Sequence, residues 1–373
     1  MNLLNALDGL SAFVKLLDSN KIKDSRGYYT WAKLNEARIA GYFGYERLEG
    51  MPSIVYLVKP FFHPTLPLVG LNYTPQAHNT LYEFPTGWTD ALRLCRGIIF
   101  ERTGKIVALA FPKFFNYGEH EENRHLPNLS FEASVKHDGH LGIVFKYQGQ
   151  LLVTTRGDFE SPTSKLAKTI LKKYFKNQSQ VARFPDALTL LVEIIHPETR
   201  VYLDYHGESC FIIIGAFDRQ TLEDYSHPQL QQLSEWFGVP VAQLWQGKSL
   251  KALIELMQDR TIENQEGFVV KFSNGLRVKL KFQTYIGKMV ADKLSYTYLM
   301  NRMIKGNLER MLETLPEEIY GTALNMLGEI MLLFYPSGTP TQRWRRLYGL
   351  LSGDESTSYF QSVCRQFVKH MLI

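Results

Sequence analysis

The sequence predicts an α+β fold: an antiparallel-sheet body followed by an all-helical C-terminal domain. Three observations predict it. Between Leu92 and Phe282, short β-branched and aromatic runs recur, bounded by Gly, Asn, Asp or Pro. The dipeptides Gln148-Gly149 and Asn274-Gly275 sit between paired runs, as hairpin turns do. Beyond Tyr285 the strand signals stop and helical spacing takes over. Three segments follow: residues 1–90, an N-terminal extension of the central domain with a mixed pattern; 91–287, the sheet domain; and 288–373, the helical domain.

Met1 to Asp18 reads as a first helix, because it lacks a basic leader and Asp8 interrupts its apolar patches. Strands are predicted at Gly97–Phe100, Gly142–Tyr147, Leu151–Thr155, Leu188–Ile195, Phe211–Phe217, Gly267–Phe272 and Arg277–Phe282. Helices are predicted at Lys288–Leu312, Glu317–Phe334, Thr341–Leu351 and Ser356–Leu372. Thr339-Pro340 supplies a capping hydroxyl and a first-turn proline, and Phe360, Val363, Cys364, Phe367 and Met371 follow an i, i+3, i+4 stripe.

With 373 residues, 45% hydrophobic and 21% charged, the chain has the balance of a folded protein and not of a disordered one. Cys95, Cys210 and Cys364 are far apart, which excludes a disulfide framework and a thiolate zinc site and fits a reducing compartment. The densest apolar run, Met326 to Tyr335, is too short to span a membrane and contains Glu329, so a cytoplasmic protein without membrane attachment is expected. A net charge of +5 tolerates a polyanionic partner without proving one.

Lys136-His137-Asp138-Gly139 lies where one strand ends before the next begins. A lysine there can serve as a nucleophile, although a surface turn is the commoner meaning of these four residues taken alone. If Asn274-Gly275 is a two-residue turn, Val270 pairs with Lys279, Phe268 with Lys281 and Glu266 with Gln283. Glu266, Lys279, Lys281 and Phe268 then share one face, which suits a nucleotide phosphate; a solvated face with a cross-strand ion pair suits it too. Glu193 interrupts the apolar run Leu188–Ile195, and a charge in a buried strand requires an ion pair, a metal or a ligand. No G-x-x-x-x-G-K-[ST] motif occurs, which excludes a P-loop kinase.

Taken in order, K-x-D-G at 136–139, Glu193, Glu266-Gly267 and Lys279-x-Lys281 resemble motifs of the covalent nucleotidyltransferase superfamily of ATP-dependent ligases and capping enzymes. Arg96-Gly97-Ile98-Ile99-Phe100-Glu101 and Lys113-Phe114-Phe115-Asn116 narrow the resemblance to the RNA ligase 1 family of T-even bacteriophage, over about residues 90–285. The resemblance implies an ATP-grasp-like adenylylation domain in which Lys136 attacks the α-phosphate of ATP. The neutral amine is the reactive form, and neighbouring cationic groups favour it. By the same resemblance, Glu193 and Glu266 position hydrated Mg²⁺, or Mn²⁺, with Asp138 assisting through a metal-bound water or by orienting the lysine. Lys279 and Lys281 contact the α-phosphate, Arg96 and Lys113 hold the outer phosphates, and Arg156 contacts the sugar or the RNA. Gly139 and Phe268 complete the nucleotide contacts.

RNA is the implied partner, nicked tRNA included, and no protein partner is evident. Lys165, Lys168, Lys172 and Lys176 fall on one helical face and form a candidate RNA stripe; a solvated amphipathic helix gives the same pattern. Arg343, Arg345 and Arg346 beside Trp344 form a second candidate. A GTP-using capping enzyme, a DNA ligase and a non-catalytic RNA-binding module are the competing readings. No OB-fold pattern follows Lys281, which counts against the first two.

Overall fold

The computed structural model describes residues 3–19, 36–45, 54–75, 77, 81, 87–119, 123–247, 249–305, 307–334 and 337. The chain divides into two compact units, Met1–Phe282 and Gln283–Ile373.

Among the described residues the first unit holds three antiparallel sheets. One runs β1 (Val58–Phe62), β2 (Leu68–Tyr73), β3 (Arg96–Glu101) and β4 (Ile106–Ala108) in sequence order. With the helix Leu3–Ser19 it builds an apolar core around Leu10, Phe13, Phe43 and Phe100. A second sheet sets β10 (Gly267–Phe272) between β11 (Arg277–Lys281) and β5 (Phe131–Lys136). The third has the order β7 (Gln150–Thr155), β6 (His140–Tyr147), β8 (Leu188–Ile195), β9 (Cys210–Asp218). Alternation along β8 sends Leu188, Leu190, Val192 and Ile194 into a core shared with the helices Pro162–Tyr174 and His227–Phe237. Leu191 joins the core of the first sheet, and Glu193 lies on that same side of the strand.

Both predicted hairpins form, with different turns. Gln148 and Gly149 have φ of 50° and 73°, and Tyr147 pairs with Gln150, which is the two-residue turn with both central residues left-handed. At Asn274-Gly275 only Gly275 is left-handed, with φ of 86°. The Gly275 amide donates to Phe272 at 2.9 Å and the Phe272 amide to Leu276 at 2.9 Å, closing a three-residue loop. The predicted register is therefore one residue out. Val269 pairs with Lys279, Phe268 with Leu280 and Gly267 with Lys281. Phe268 consequently shares a face with Leu280 and Val135, opposite to Lys279 and Lys281, and its ring packs against Phe282.

The second unit is helical where it is described: Gln283–Lys293, Tyr296–Ile304, Leu308–Thr314 and Glu317–Phe334. The single helix predicted for Lys288–Leu312 is interrupted because the Ser295 hydroxyl caps a new helix, accepting the Tyr298 amide at 3.0 Å. The helix at 317–334 packs on those at 283–293 and 296–304, burying Ile319, Ala323, Leu327 and Ile330. No helix among the described residues is long and apolar enough to cross a membrane. The predicted helices Thr341–Leu351 and Ser356–Leu372 lie outside the described residues, as do Arg343, Arg345 and Arg346.

Candidate active site

Lys136 ends β5, and the turn 137–139 carries the chain from the second sheet into β6 of the third. Across the second sheet Lys136 pairs with Gly267, which pairs with Lys281, so the two lysines flank a glycine in one row and on one face. Lys279 follows two residues along the same face.

Glu266, immediately before β10, fills the space above that glycine. Its Oε2 accepts from Lys136 Nζ at 2.9 Å and its Oε1 from Lys281 Nζ, and only 3% of the Glu266 side chain is exposed. One buried carboxylate therefore straddles two ammonium groups. Burial opposes its charge, and the ammonium groups of Lys136 and Lys281 override that and hold the carboxyl below the usual carboxylate range. Gly267 makes the arrangement possible: its φ is 150°, and a Cβ there would overlap the Leu280 carbonyl oxygen. Strand alternation alone would put Glu266 on the face of Phe282, and the irregular backbone at Gly267 turns it toward the lysines.

Glu193 comes from the third sheet. Its Oε1 accepts the Gly139 amide at 3.0 Å, which ties the K-x-D-G turn to β8. Burial pushes the Glu193 carboxyl up to about 7, with Lys136 opposing the rise and Glu266 adding to it. Such a carboxylate lacks a full counter-charge, which fits a cation held in front of it.

Asp138 sits in the turn two residues beyond Lys136. It is buried, and Oδ2 accepts the Tyr202 and Leu203 amides at 2.8 and 2.5 Å, while its own amide donates to the Tyr205 hydroxyl at 2.8 Å. The carboxylate fastens the turn that follows Lys136 to the loop after β8. Among the described residues no three His, Cys, Asp or Glu side chains converge as direct metal ligands. The donor set therefore fits a cation held through its waters by Glu193 and Glu266.

The N-terminal motifs reach the site along the free edge of β11. The Lys279 amide donates to Phe115 at 3.0 Å and the Tyr117 amide to Lys279 at 2.9 Å, so residues 115–117 run as an added strand. This brings in Phe114, whose ring carries Arg96 on one contact, at 5.7 Å, and Lys279 on another, at 5.5 Å. Lys113 is 2% exposed, its ammonium between the rings of Tyr73, Trp88 and Phe115 at 5.2–5.6 Å. Arg156 donates to the Tyr73 hydroxyl at 2.6 Å and lies over the same ring.

Of the predicted stripe, Lys165, Lys168 and Lys172 lie on the helix Pro162–Tyr174, with Lys168 paired to Glu160. Lys176 lies beyond the helix end, because the helix caps at Phe175.

A model of the RNA ligase family, that of T4 RNA ligase 1, matches residues 94–286, just over half of the sequence. The chain belongs to this family. The matched span includes Arg96, Lys113, Lys136, Glu193, Glu266, Lys279 and Lys281. A Thermovibrio ammonificans protein named provisionally as an RNA ligase is 29% identical over 249 residues, which cover 64% of this chain and 62% of the relative. The match thus spans less than two thirds of that relative's length. Among solved structures, Naegleria gruberi RNA ligase with pyrophosphate is 16% identical, with a TM-score of 0.36 over 43% of this chain and 51% of that one. A lysine-to-alanine mutant of the same ligase, solved with ATP and Mn, is 17% identical with a TM-score of 0.38, over 46% and 55%.

Within this RNA ligase family member, sequence reasoning missed the loop that holds the turn. Tyr205 and the Tyr202 and Leu203 amides lie in a segment without periodicity, and no sequence signal links them to Asp138. Asp138→Ala removes the carboxylate acceptor of two part-buried amides, and a loss of about 1–3 kcal/mol in urea unfolding is expected, against about 1 kcal/mol for Tyr205→Phe.

Proposed function

We propose that the chain is an ATP-dependent RNA ligase that joins 5′-phosphate and 3′-hydroxyl ends through lysyl-AMP and adenylylated RNA. In the first step the Lys136 amine, having lost a proton, attacks the α-phosphorus of ATP. A P–N bond forms and the bond to pyrophosphate breaks. The adenylate then passes to the RNA 5′-phosphate oxygen, freeing Lys136, and attack by an RNA 3′-hydroxyl releases AMP as the phosphodiester forms. Lys279 and Lys281 stabilise charge on the α-phosphate, and Arg96 and Lys113 hold the outer phosphates. A divalent cation, Mg²⁺ or Mn²⁺, supplies charge neutralisation on the phosphates when bound, and Glu193 and Glu266 would hold its water shell.

The observation that carries this reading is Glu266 shared between Lys136 and Lys281. A nucleophilic lysine is fixed in place beside a second cation by a carboxylate that later becomes available to a metal's waters. Residues 91–287 act as the adenylyltransferase domain, 1–90 as its extension and 288–373 in RNA specificity. Lys165, Lys168, Lys172 and Lys176 contact RNA phosphates, with Arg343, Arg345 and Arg346 as a further contact. Nicked tRNA that carries a 5′-phosphate and a 3′-hydroxyl is one RNA this reaction would seal, and RNA repair in the cytoplasm is the corresponding role.

Incubation with Mg²⁺ and each α-labelled NTP, followed by denaturing electrophoresis, tests the first step. Label retained from ATP in the wild type and absent in Lys136→Ala is the expected result. Retention from GTP points to a capping-type enzyme, and no retention at all removes the covalent mechanism. Joining of DNA in preference to RNA removes the RNA assignment.

A further inference from the structure

From the pairing of Asn72 with Arg96, we infer that Asn72, together with Arg96, reads a ribose hydroxyl at the mouth of the adenylylation site. The inference rests on the ligase reading above. The two residues are partners across β2 and β3, at the place where the register of that pair shifts. The shift accompanies Gly97, whose φ is 100° and where a Cβ would stand 2.8 Å from the Arg156 Cα. A Cβ on Gly157 would lie 3.2 Å from Asn72 Nδ2, which places the Asn72 amide beside Arg156-Gly157. Arg96 belongs to the charged cluster of the site, since it shares the Phe114 ring with Lys279 and its charge acts on Glu193.

Both residues hold a polar atom screened from solvent and without a hydrogen-bond partner: the acceptor Asn72 Oδ1 and the donor Arg96 Nη1. Buried polar atoms are rarely left so, because each unmade bond is unfavourable. The two are complementary, one an acceptor and one a donor, and belong to residues paired across β2 and β3, yet they are not bonded to each other. A phosphate oxygen would satisfy Arg96 Nη1 but not Asn72 Oδ1, which needs a donor. A hydroxyl answers both, accepting from the guanidinium and donating to the amide oxygen. In a site handling ATP and RNA, that hydroxyl belongs to a ribose, either of the nucleotide or of an RNA end.

Two arms distinguish the sources. Lysyl-AMP formation is followed with ATP, 2′-deoxy-ATP and 3′-deoxy-ATP, and joining is followed with an all-ribose strand and with strands carrying one 2′-deoxy residue at either end. The wild type is expected to favour the hydroxyl-bearing substrate in one arm by about ten- to a hundred-fold in kcat/KM. Asn72→Ala collapses that ratio toward one, whereas Asn72→Asp, which keeps an acceptor oxygen, retains a preference. An undiminished ratio in Asn72→Ala, equal losses on both substrates, or no wild-type preference in either arm overturns the inference while leaving the ligase reading intact. A wild-type chain that takes no label from ATP overturns both.

Discussion

Glu266→Ala is expected to lose lysyl-AMP formation by at least about a thousand-fold and to unfold more readily by about 3–5 kcal/mol. Both effects have one origin. The carboxylate is almost wholly buried and pairs with Lys281, which is itself only 4% exposed, so its removal takes this counter-charge away from an ammonium group in the interior. Lys136 loses the Glu266 carboxylate and with it the orientation of its amine. The double variant Glu266→Ala/Lys281→Met removes the buried charge along with its partner, and most of the lost stability returns because a buried pair replaced by apolar groups is often neutral. Adenylylation does not return with it. Urea unfolding beside label transfer separates the two quantities. Recovery of both in the double variant would mean that Glu266 is structural alone.

Gly267→Ala has the second largest expected effect. The backbone at this position has a φ of 150°, which L side chains rarely adopt, and the added methyl would collide with the Leu280 carbonyl and approach the Lys281 Cα at 2.8 Å. Neither obstacle is the end of a flexible side chain, so the β10 and β11 strands must part at the row that holds Lys136 and Lys281. A loss of about 2–4 kcal/mol is expected, with adenylylation reduced at least about a hundred-fold. Retention of wild-type label transfer at a temperature where the variant is folded would show that the row tolerates displacement and that the lysine geometry is less exacting than described.

Glycine at 267 was visible in the sequence as the second residue of Glu266-Gly267, but its physical duty was not. The same holds for the hairpin register. Asn274-Gly275 reads from composition as a two-residue turn, whereas its loop takes one residue more and Gln148-Gly149 forms the two-residue turn. A difference of one residue moves every side chain of a strand to the other face, and Phe268 changed sides for that reason.

What the amino-acid sequence determined by itself were the quantities set by local order. The alternation of apolar residues assigned strands to the central region, and the helical spacing after Tyr285 assigned helices to the tail. A charge at 193 inside an apolar run marked that strand as exceptional, because an unpaired buried carboxylate is costly wherever it lies. Order and residue type were enough to assemble Lys136, Glu193, Glu266, Lys279 and Lys281 as one candidate set. Only the tertiary structure decided how they meet: that Glu266 bridges two lysines, that Asp138 binds backbone amides of a distant loop, and that residues 115–117 extend the sheet at β11. Those contacts join segments far apart along the chain through backbone irregularities and shared sheet edges, and neither leaves a periodic trace in the sequence.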